Sequence, residues 1–332
     1  MLKVGLIGAG RIGKVHASSI TQHAGSQLVA VADVIEENAV SLASEYNTTA
    51  STTNQIMDDA SINAVLIASS TDTHCDLIEA AASAGKAVLC EKPVDLSLER
   101  ARKCLARVSN IEVPVMIGFN RRFDPNFAAL KAAAEAGEIG SKEMLSITSL
   151  DPAPPPIEYI RVSGGMYRDM MIHDFDMANF LMKDLPETVS ATGSCMVDSS
   201  IGAEGDVDTA VVTLAYSDGR IAVIKNSRRA AYGYEQRLEL FGSDGMLRVE
   251  NVNENTVVKS TADGVSSAKP MYFFLQRYMP AYAAVWSSFV AAVETGAEVE
   301  VSLTDGVNAL AMAEAATQSS QSGQRIVLQD LM

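Results

Sequence analysis

The chain has 332 residues, 48% of them hydrophobic and 20% charged, with a formal net charge of -15 and a pI near 4.7. This length predicts two domains, because one hydrophobic core rarely serves so many residues. The acidic surface disfavours nucleic acid and anionic membranes as partners, since both would be repelled. No apolar run is long enough to span a bilayer, no secretory segment fits the N-terminus and no CxxC pair occurs among the four cysteines. We therefore expect a soluble cytoplasmic protein with reduced thiols.

Short apolar runs alternate with amphipathic segments from the N-terminus to residue 119. Strands that are hydrophobic throughout and separated by helices indicate a parallel sheet covered on both faces. We therefore predict an α/β fold that begins with a doubly wound Rossmann domain at residues 1–119. Its strands are predicted at 4–7, 28–32, 64–68, 87–90 and 115–117, and its helices at 11–23, 36–46, 73–84 and 98–108.

A glycine-rich motif, GAGRIG, follows the first predicted strand and opens a helix. In a dinucleotide site the first two glycines allow a tight turn and the approach of a pyrophosphate, and the third allows the helix to pack on the sheet. GxGxxG alone is weak evidence, and an accidental turn is the alternative. Asp33 ends the second strand, where a carboxylate takes both ribose hydroxyls and repels a 2′-phosphate, which favours NAD over NADP. The predicted cofactor-binding residues here are Gly8, Gly10, Arg11, Ile12, Gly13 and Asp33.

Two further segments follow strands of this sheet, at the edge where open parallel sheets bind ligands. Ser70, Thr71 and His74 come after the strand at 64–68, and Thr71 and His74 are placed to contact the nicotinamide side of the cofactor. His74 could equally cap or pack a helix. Glu91 and Lys92 follow the next strand, where the lysine can donate to a substrate oxygen unless it is simply a surface residue. The predicted cofactor-binding residues of these two segments are Ser70, Thr71, His74, Glu91 and Lys92. Pro93 stiffens that turn, in a cis or a trans form.

Residues 120–332 show a different pattern. After a helix at 125–136, a strand at 144–150 and a proline-rich loop, alternating strands separated by turn signals indicate antiparallel neighbours. We predict a second α/β domain with a large open, mostly antiparallel sheet and helices on one side. Two late helices, at 281–294 and 304–321, cover remaining apolar surface and could pack back on the first domain. The strands of this domain are predicted at 189–196, 209–216, 221–227, 237–241 and 246–249.

Asp169, His173 and Asp176 fall on one face of a predicted helix, because residues three and four apart are neighbours. An apolar stripe from Met171 to Met182 runs beside them and would press the helix into a core. A carboxylate next to a half-buried imidazole is a common arrangement for a general base. The alternative is a solvated helix face that happens to carry acids.

Four motifs together resemble those of the Gfo/Idh/MocA oxidoreductase family: GxGRIGxxH at 8–16, EKP at 91–93, GFNRRFD at 118–124, and the segment from the glycine pair at 164–165 to Asp176. Within the family they resemble those of the inositol 2-dehydrogenases. The resemblance covers essentially the whole chain. It implies a Rossmann domain followed by an open-sheet domain, a homotetramer assembled through the sheets, and NAD-linked alcohol oxidation at the domain boundary.

The resemblance also implies roles for individual residues. Lys92 matches the lysine of the EKP motif, and Asp169 and His173 match the DxxxH pair of the catalytic triad. Arg121 and Asp176 match positions that line the polyol pocket. A further pocket segment contains two tyrosines, Tyr232 and Tyr234, and the motif leaves open which of them faces inward.

The chemistry of alcohol oxidation agrees with these roles, because it needs a hydride acceptor and a base for the hydroxyl proton. His173 is the candidate base, Asp169 orients its ring, and Lys92 stabilises the developing alkoxide. An uncharged cyclic polyol such as myo-inositol would be held by hydrogen bonds. The four histidines lack metal-ligand spacing, which disfavours a zinc-dependent dehydrogenase. The predicted substrate-binding residues are Lys92, Arg121, Asp151, Asp169, His173, Asp176 and Tyr234.

Three alternatives remain open. The substrate could be another inositol isomer, such as scyllo-inositol, or a pyranose sugar. A non-catalytic, NAD-responsive binding protein with the same fold would be expected to lack Lys92, Asp169 or His173, and all three are present. An NADP-dependent oxidoreductase is disfavoured by Asp33.

Overall fold

The computed structural model describes residues 1–332, which divide into two compact units. One contains residues 1–123 and 280–310, and the other contains residues 124–279 and 311–332. Each unit is built around its own sheet. None of its helices combines the length and the hydropathy that a membrane span requires.

The first unit holds a six-stranded, fully parallel sheet in the order β3-β2-β1-β4-β5-β6. Its central strands are buried on both faces, as their apolar runs predict, except at Lys3 near the start of β1. The predicted Rossmann architecture is therefore confirmed. The short β3 and α3 escaped prediction, although Thr52 and Gln55 form a capping box at the start of α3. The elements are β1 (Leu2–Ile7), α1 (Arg11–Gln22), β2 (Ser26–Ala32), α2 (Glu36–Glu45), β3 (Thr49–Ala50), α3 (Thr53–Asp58), β4 (Ala64–Ile67), α4 (His74–Ser83), β5 (Ala87–Cys90), α5 (Leu98–Val108) and β6 (Val115–Ile117).

The second part of the chain adds helices and a larger sheet. Asp124 caps α6 by accepting from the backbone N–H groups of Asn126 and Phe127. The elements are α6 (Pro125–Glu135), β7 (Lys142–Leu150), α7 (Ile157–Ser163), α8 (Ile172–Met182), β8 (Thr188–Ser194), α9 (Ser199–Ala203), β9 (Thr209–Ala215), β10 (Ile221–Ser227), β11 (Glu235–Gly242), β12 (Gly245–Val249), β13 (Val258–Thr261), β14 (Gly264–Ser267), α10 (Phe274–Arg277), α11 (Met279–Thr295), α12 (Leu303–Ser322) and β15 (Ile326–Val327).

The sheet of the second unit has seven strands in the order β12-β11-β7-β10-β9-β8-β15. All its pairs are antiparallel except β7 with β10, so the prediction of a large, mostly antiparallel sheet is confirmed. One detail differs, because β10 and β11 are consecutive in the chain without being neighbours. β7 lies between them, parallel to β10 and antiparallel to β11.

The helix predicted through Asp169 and His173 is interrupted. A π-helical turn covers Met166–Met170, and α8 begins only at Ile172. The apolar stripe is buried as predicted, with Phe175 fully inaccessible. Asp176 is buried as well, and so lies deeper than the edge position expected from the helical pattern.

The long helix α11 packs on the parallel sheet of the first unit. Trp286 is fully buried and its Nε1 donates to the Ser26 Oγ at 2.9 Å, at the start of β2. Phe289 stacks beside Trp286 with ring centroids 5.4 Å apart. The core of this unit therefore includes residues that lie far apart in the sequence.

Candidate functional site

The glycine loop after β1 fits a dinucleotide phosphate. A Cβ on Gly8 (φ +102°) would lie 2.4 Å from the Ala68 carbonyl, and one on Gly13 would lie 2.0 Å from the Gly8 oxygen. A Cβ on Gly10, by contrast, would meet no atom within 4 Å. α1 starts at Arg11 with no side-chain cap and no acid in its first turn. Its N–H groups, with the open space beside Gly10, suit a bound phosphate.

Asp33 is fixed beside this loop. Its Oδ2 accepts the Ala9 N–H at 2.6 Å, and its Oδ1 accepts the Ile35 N–H at 2.8 Å. The side chain is half-buried, so the carboxylate retains accessible lone pairs. A carboxylate held at the end of β2 beside the glycine loop fits the ribose of NAD.

His74 joins two of the predicted ligand-binding loops. Its ring is 1% exposed, with Nδ1 2.8 Å from the Pro93 carbonyl and Nε2 3.2 Å from the Ser69 carbonyl. Burial lowers the pKa of His74, although both carbonyls favour the protonated ring. Because both ring nitrogens face backbone, the geometry favours the packing alternative over direct contact with the cofactor. Ser70 is exposed and Thr71 half-buried on the adjoining turn, where they could reach a ligand.

Glu91 forms a buried pair that sequence reasoning missed. His16 Nε2 lies 2.7 Å from the Glu91 Oε1, and Tyr282 meets the imidazole edge-on at 5.5 Å between centroids. The second carboxylate oxygen accepts the Lys92 backbone N–H at 3.2 Å. Glu91 therefore shapes the turn that carries Lys92. The Lys92–Pro93 peptide bond is cis, and the Lys92 side chain is half-buried.

The two arginines of the GFNRRFD motif are both buried. They lie in a short 3-10 turn, Asn120–Phe123. Arg122 donates to the Glu300 carbonyl at 3.1 Å and pairs with Asp305 at 3.1 Å, which identifies it as a structural residue of the first unit. Arg121, the predicted pocket residue, is 4% exposed.

In the second unit, Asp169 and His173 lie on either side of the junction between the π-helical turn and α8. The Tyr159 hydroxyl donates to the Asp169 Oδ1 at 2.9 Å, and Arg228 Nη1 lies 3.7 Å from its Oδ2. His173 is half-buried in the first turn of α8. A half-buried imidazole close in sequence to an oriented carboxylate is suited to proton transfer.

Asp174, which the sequence did not single out, anchors the same helical turn. It is fully buried, and its Oδ1 accepts from the Ser149 Oγ at 2.6 Å while its Oδ2 accepts from the Asn226 Nδ2 at 2.9 Å. These bonds tie α8 to β7 and β10. The sequence shows only an acid next to a histidine in a mostly apolar helix, and such an acid cannot be told from a solvent-facing residue by sequence alone.

The structure distinguishes the two candidate tyrosines. Tyr234 is 7% exposed and contacts Tyr278 edge-to-face at 6.0 Å. Tyr232 is 47% exposed, and its partial burial with a hydrogen bond to Glu235 raises its pKa to about 12. Tyr234 is thus the inward-facing residue. Asp151, another predicted pocket residue, is half-buried, and its carbonyl accepts the Ala230 N–H at 2.7 Å.

Comparison with known proteins adds a family match to this geometry. Residues 2–119 match the model of the oxidoreductase family with an NAD-binding Rossmann fold, and residues 127–248 match the GFO/IDH/MocA C-terminal domain. The chain is 49% identical to the inositol 2-dehydrogenase of Rhizobium meliloti (strain 1021), over 96% of each chain. It superposes on the crystal structure of a myo-inositol dehydrogenase from Corynebacterium glutamicum with a TM-score of 0.95 and 42% identity, over 99% of each chain. The crystal structure of a scyllo-inositol dehydrogenase from Lactobacillus casei with bound NAD(H) and scyllo-inositol superposes with a TM-score of 0.91 and 27% identity, also over 99% of each chain.

Proposed function

Because the chain belongs to the GFO/IDH/MocA family of NAD-binding oxidoreductases, we propose that it oxidises a cyclic polyol, myo-inositol, at the C2 hydroxyl. The observation that carries this proposal is the full-length similarity to an inositol 2-dehydrogenase at 49% identity. All four cysteines are free, in keeping with a protein that acts in the reducing cytoplasm, where we place it.

The reaction separates a hydride from a proton. NAD supplies the hydride acceptor when it is bound, and receives the hydrogen of the carbinol carbon with its electron pair. We assign the hydroxyl proton to His173, because an imidazole titrates near neutral pH and this ring is half-buried. Asp169 orients the ring and stabilises the imidazolium. Lys92 donates a hydrogen bond to the substrate oxygen as negative charge develops on it.

Substrate specificity must come from hydrogen bonds, because a polyol carries no charge. Arg121 and Asp176 are buried, and Asp151 is half-buried, so their polar groups act in surroundings where hydrogen bonds are strong. A guanidinium or a carboxylate can engage two adjacent hydroxyls at once. We assign these three residues, together with Tyr234, to the polyol.

We further propose that the protein is a homotetramer assembled through the second sheet. Ile221, Met144, Phe241 and Met246 stand side by side across four adjacent strands, because β10, β7, β11 and β12 are paired in that register. Each is 41–46% exposed, so together they form an apolar row on the open face of the sheet. An exposed apolar row of this kind suits the same face of a second copy.

The main competing substrate is another inositol isomer. A scyllo-inositol dehydrogenase shares the fold at 27% identity, so the fold alone does not select the isomer. Pyranose sugars are a further possibility. A non-catalytic, NAD-responsive protein is the alternative of a different class.

Steady-state rates provide the test. The purified protein is assayed for NADH formation with myo-inositol, scyllo-inositol, other inositols and hexoses, each with NAD and with NADP. The proposal predicts that myo-inositol with NAD gives the highest kcat/KM. A higher kcat/KM for another polyol would identify that polyol as the substrate instead. A protein that binds NAD but turns over none of the polyols would be a non-catalytic binding protein. Lys92→Ala should lower turnover by about 100-fold or more in folded protein.

A further inference from the structure

Arg228 is a fully buried cation placed between two carboxylates. It follows β10, is 1% exposed, and lies with Nη1 3.7 Å from the Asp169 Oδ2 and Nη2 3.8 Å from the Asp206 Oδ2. Its Nε and Nη2 have no hydrogen-bond partner in the protein. A guanidinium buried in this way is unfavourable unless nearby charges compensate it. The two acids are therefore the compensating groups.

Asp206 holds the beginning of the π-helical turn that contains Asp169. Its two oxygens lie 2.9 and 3.1 Å from the N–H of Met166, the first residue of that turn. Gly165 (φ +78°) makes this approach possible, because a Cβ there would lie 2.6 Å from the Asp206 Oδ1. This accounts for the second glycine of the pair that the sequence singled out.

Asp169 lies in the same turn, three residues further on. The Tyr159 hydroxyl donates to one of its oxygens, and Arg228 faces the other. A single guanidinium thus interacts with the acid that holds the start of the turn and with the acid near its end. Arg228 is itself fixed by its backbone, since its N–H donates to the Asp208 carbonyl at 2.8 Å.

We propose that Arg228 is a positioning residue for the catalytic pair. Its charge sets the orientation of the Asp169 carboxylate, and through Asp169 the orientation of the His173 ring. The inference rests on the proposed function, which gives Asp169 and His173 their roles. Its distinctive consequence is that Arg228 affects the chemical step and not the binding of NAD.

Three variants test this inference. Arg228→Met keeps most of the side-chain length and removes the charge, Arg228→Lys keeps the charge, and Arg229→Met is the matched control at an exposed neighbour. With myo-inositol and NAD, Arg228→Met should lower kcat by about 30- to 100-fold, because small displacements of catalytic groups reduce rates by this order. Its KM for NAD should stay near wild type. Its melting temperature should fall, because two largely buried carboxylates lose the cation between them, so the rates are compared at a temperature where both proteins are folded. Arg228→Lys should recover about 10-fold of the loss, and Arg229→Met should match wild type.

Wild-type kcat in folded Arg228→Met would overturn the inference, as would equal losses in the Met and Lys variants. If Arg228→Met does not fold, Asp206→Asn replaces it, since an amide oxygen can still accept the Met166 N–H while the charge facing Arg228 is lost. Unchanged kcat in folded Asp206→Asn would then refute it. His173→Ala is measured in parallel. No oxidation of myo-inositol by the wild-type protein refutes the proposed function. Full activity of folded His173→Ala refutes the assignment of the base, whereas an inactive His173→Ala beside a fully active Arg228→Met refutes only the role of Arg228.

Discussion

Replacing Asp33 with asparagine should weaken the preference for NAD over NADP. The Asp33 Oδ2 accepts the Ala9 N–H at 2.6 Å. An asparagine carbonyl can keep that bond, so the substitution removes the charge while preserving the link to the glycine loop. The amide nitrogen cannot accept from the Ile35 N–H, but that group is exposed and water can replace the lost bond. A change in cofactor preference can then be attributed to the lost charge and not to a displaced glycine loop.

Two contributions set the magnitude. Hydrogen bonds to a charged group contribute about 1 kcal/mol more than neutral ones, so NAD should lose about 1 to 1.5 kcal/mol of binding. A carboxylate and a phosphate charge at about 5 Å repel by roughly 3 kcal/mol at an effective dielectric of 20, and solvent at this half-buried site reduces that by about half. Together the ratio of kcat/KM for NAD to that for NADP should fall by about 100-fold.

The assay is kcat/KM for both cofactors at saturating myo-inositol, with the melting temperature as a check on folding. Asp33→Asn should melt near the wild-type temperature. If folded Asp33→Asn kept the wild-type ratio of kcat/KM for NAD to that for NADP, Asp33 would not bind the adenosine ribose. The inference that the carboxylate at the end of β2 selects the cofactor would then be refuted.

Three further predictions concern the loop, the fold and the assembly. Gly13→Ala should raise the KM for NAD by about 10-fold or more, because its Cβ would lie 2.0 Å from the Gly8 oxygen and displace the loop; an unchanged KM would contradict this. Burial raises the pKa of Asp208, but the N–H groups of residues 196–198 outweigh it and lower the pKa to about 2 from 3.8. The carboxylate therefore stabilises the fold above pH 3.8 and loses this effect as pH falls through 2. Asp208→Ala should lower the free energy of unfolding by about 2 to 4 kcal/mol at pH 7. Denaturant titrations should show a smaller difference between the variant and the wild type below pH 3. Phe241→Asp should dissociate the proposed tetramer, which light scattering would show as a lower molar mass than that of the wild type, and an unchanged mass would exclude the apolar row as the interface.

Local sequence patterns predicted most of the first unit. The strand at 87–90 and the helix at 98–108 have the predicted bounds, because an apolar run and an amphipathic period each report one element directly. The two-residue β3 was missed, since it contains too few residues to show a pattern. Its neighbour α3 had a capping box that could have been found.

Strand order in the second sheet was harder to predict from the sequence. Turn signals indicate where strands begin and end, and they favour pairing between consecutive strands. The insertion of β7 between β10 and β11 joins segments about 80 residues apart, and nothing local in either strand encodes that pairing. The parallel register of Ser227 with Leu150 therefore had to come from the structure.

The candidate site divides in the same way. Motif residues such as Lys92 and Asp33 could be found because each follows a predicted strand. The partners that fix them could not, because His16 and Glu91 are 75 residues apart and Asp169 and Arg228 come from separate elements. Long-range polar pairs leave no periodic signal in a single sequence.

The most direct test of the central claim is the turnover number of His173→Ala with saturating myo-inositol and NAD, beside His23→Ala as a control at a residue outside the proposed site. If His173 is the base, its replacement should lower kcat by about 10²- to 10⁴-fold with unchanged affinity for NADH, and the control should retain full activity. Wild-type turnover in folded His173→Ala would contradict the assignment of proton transfer to this residue.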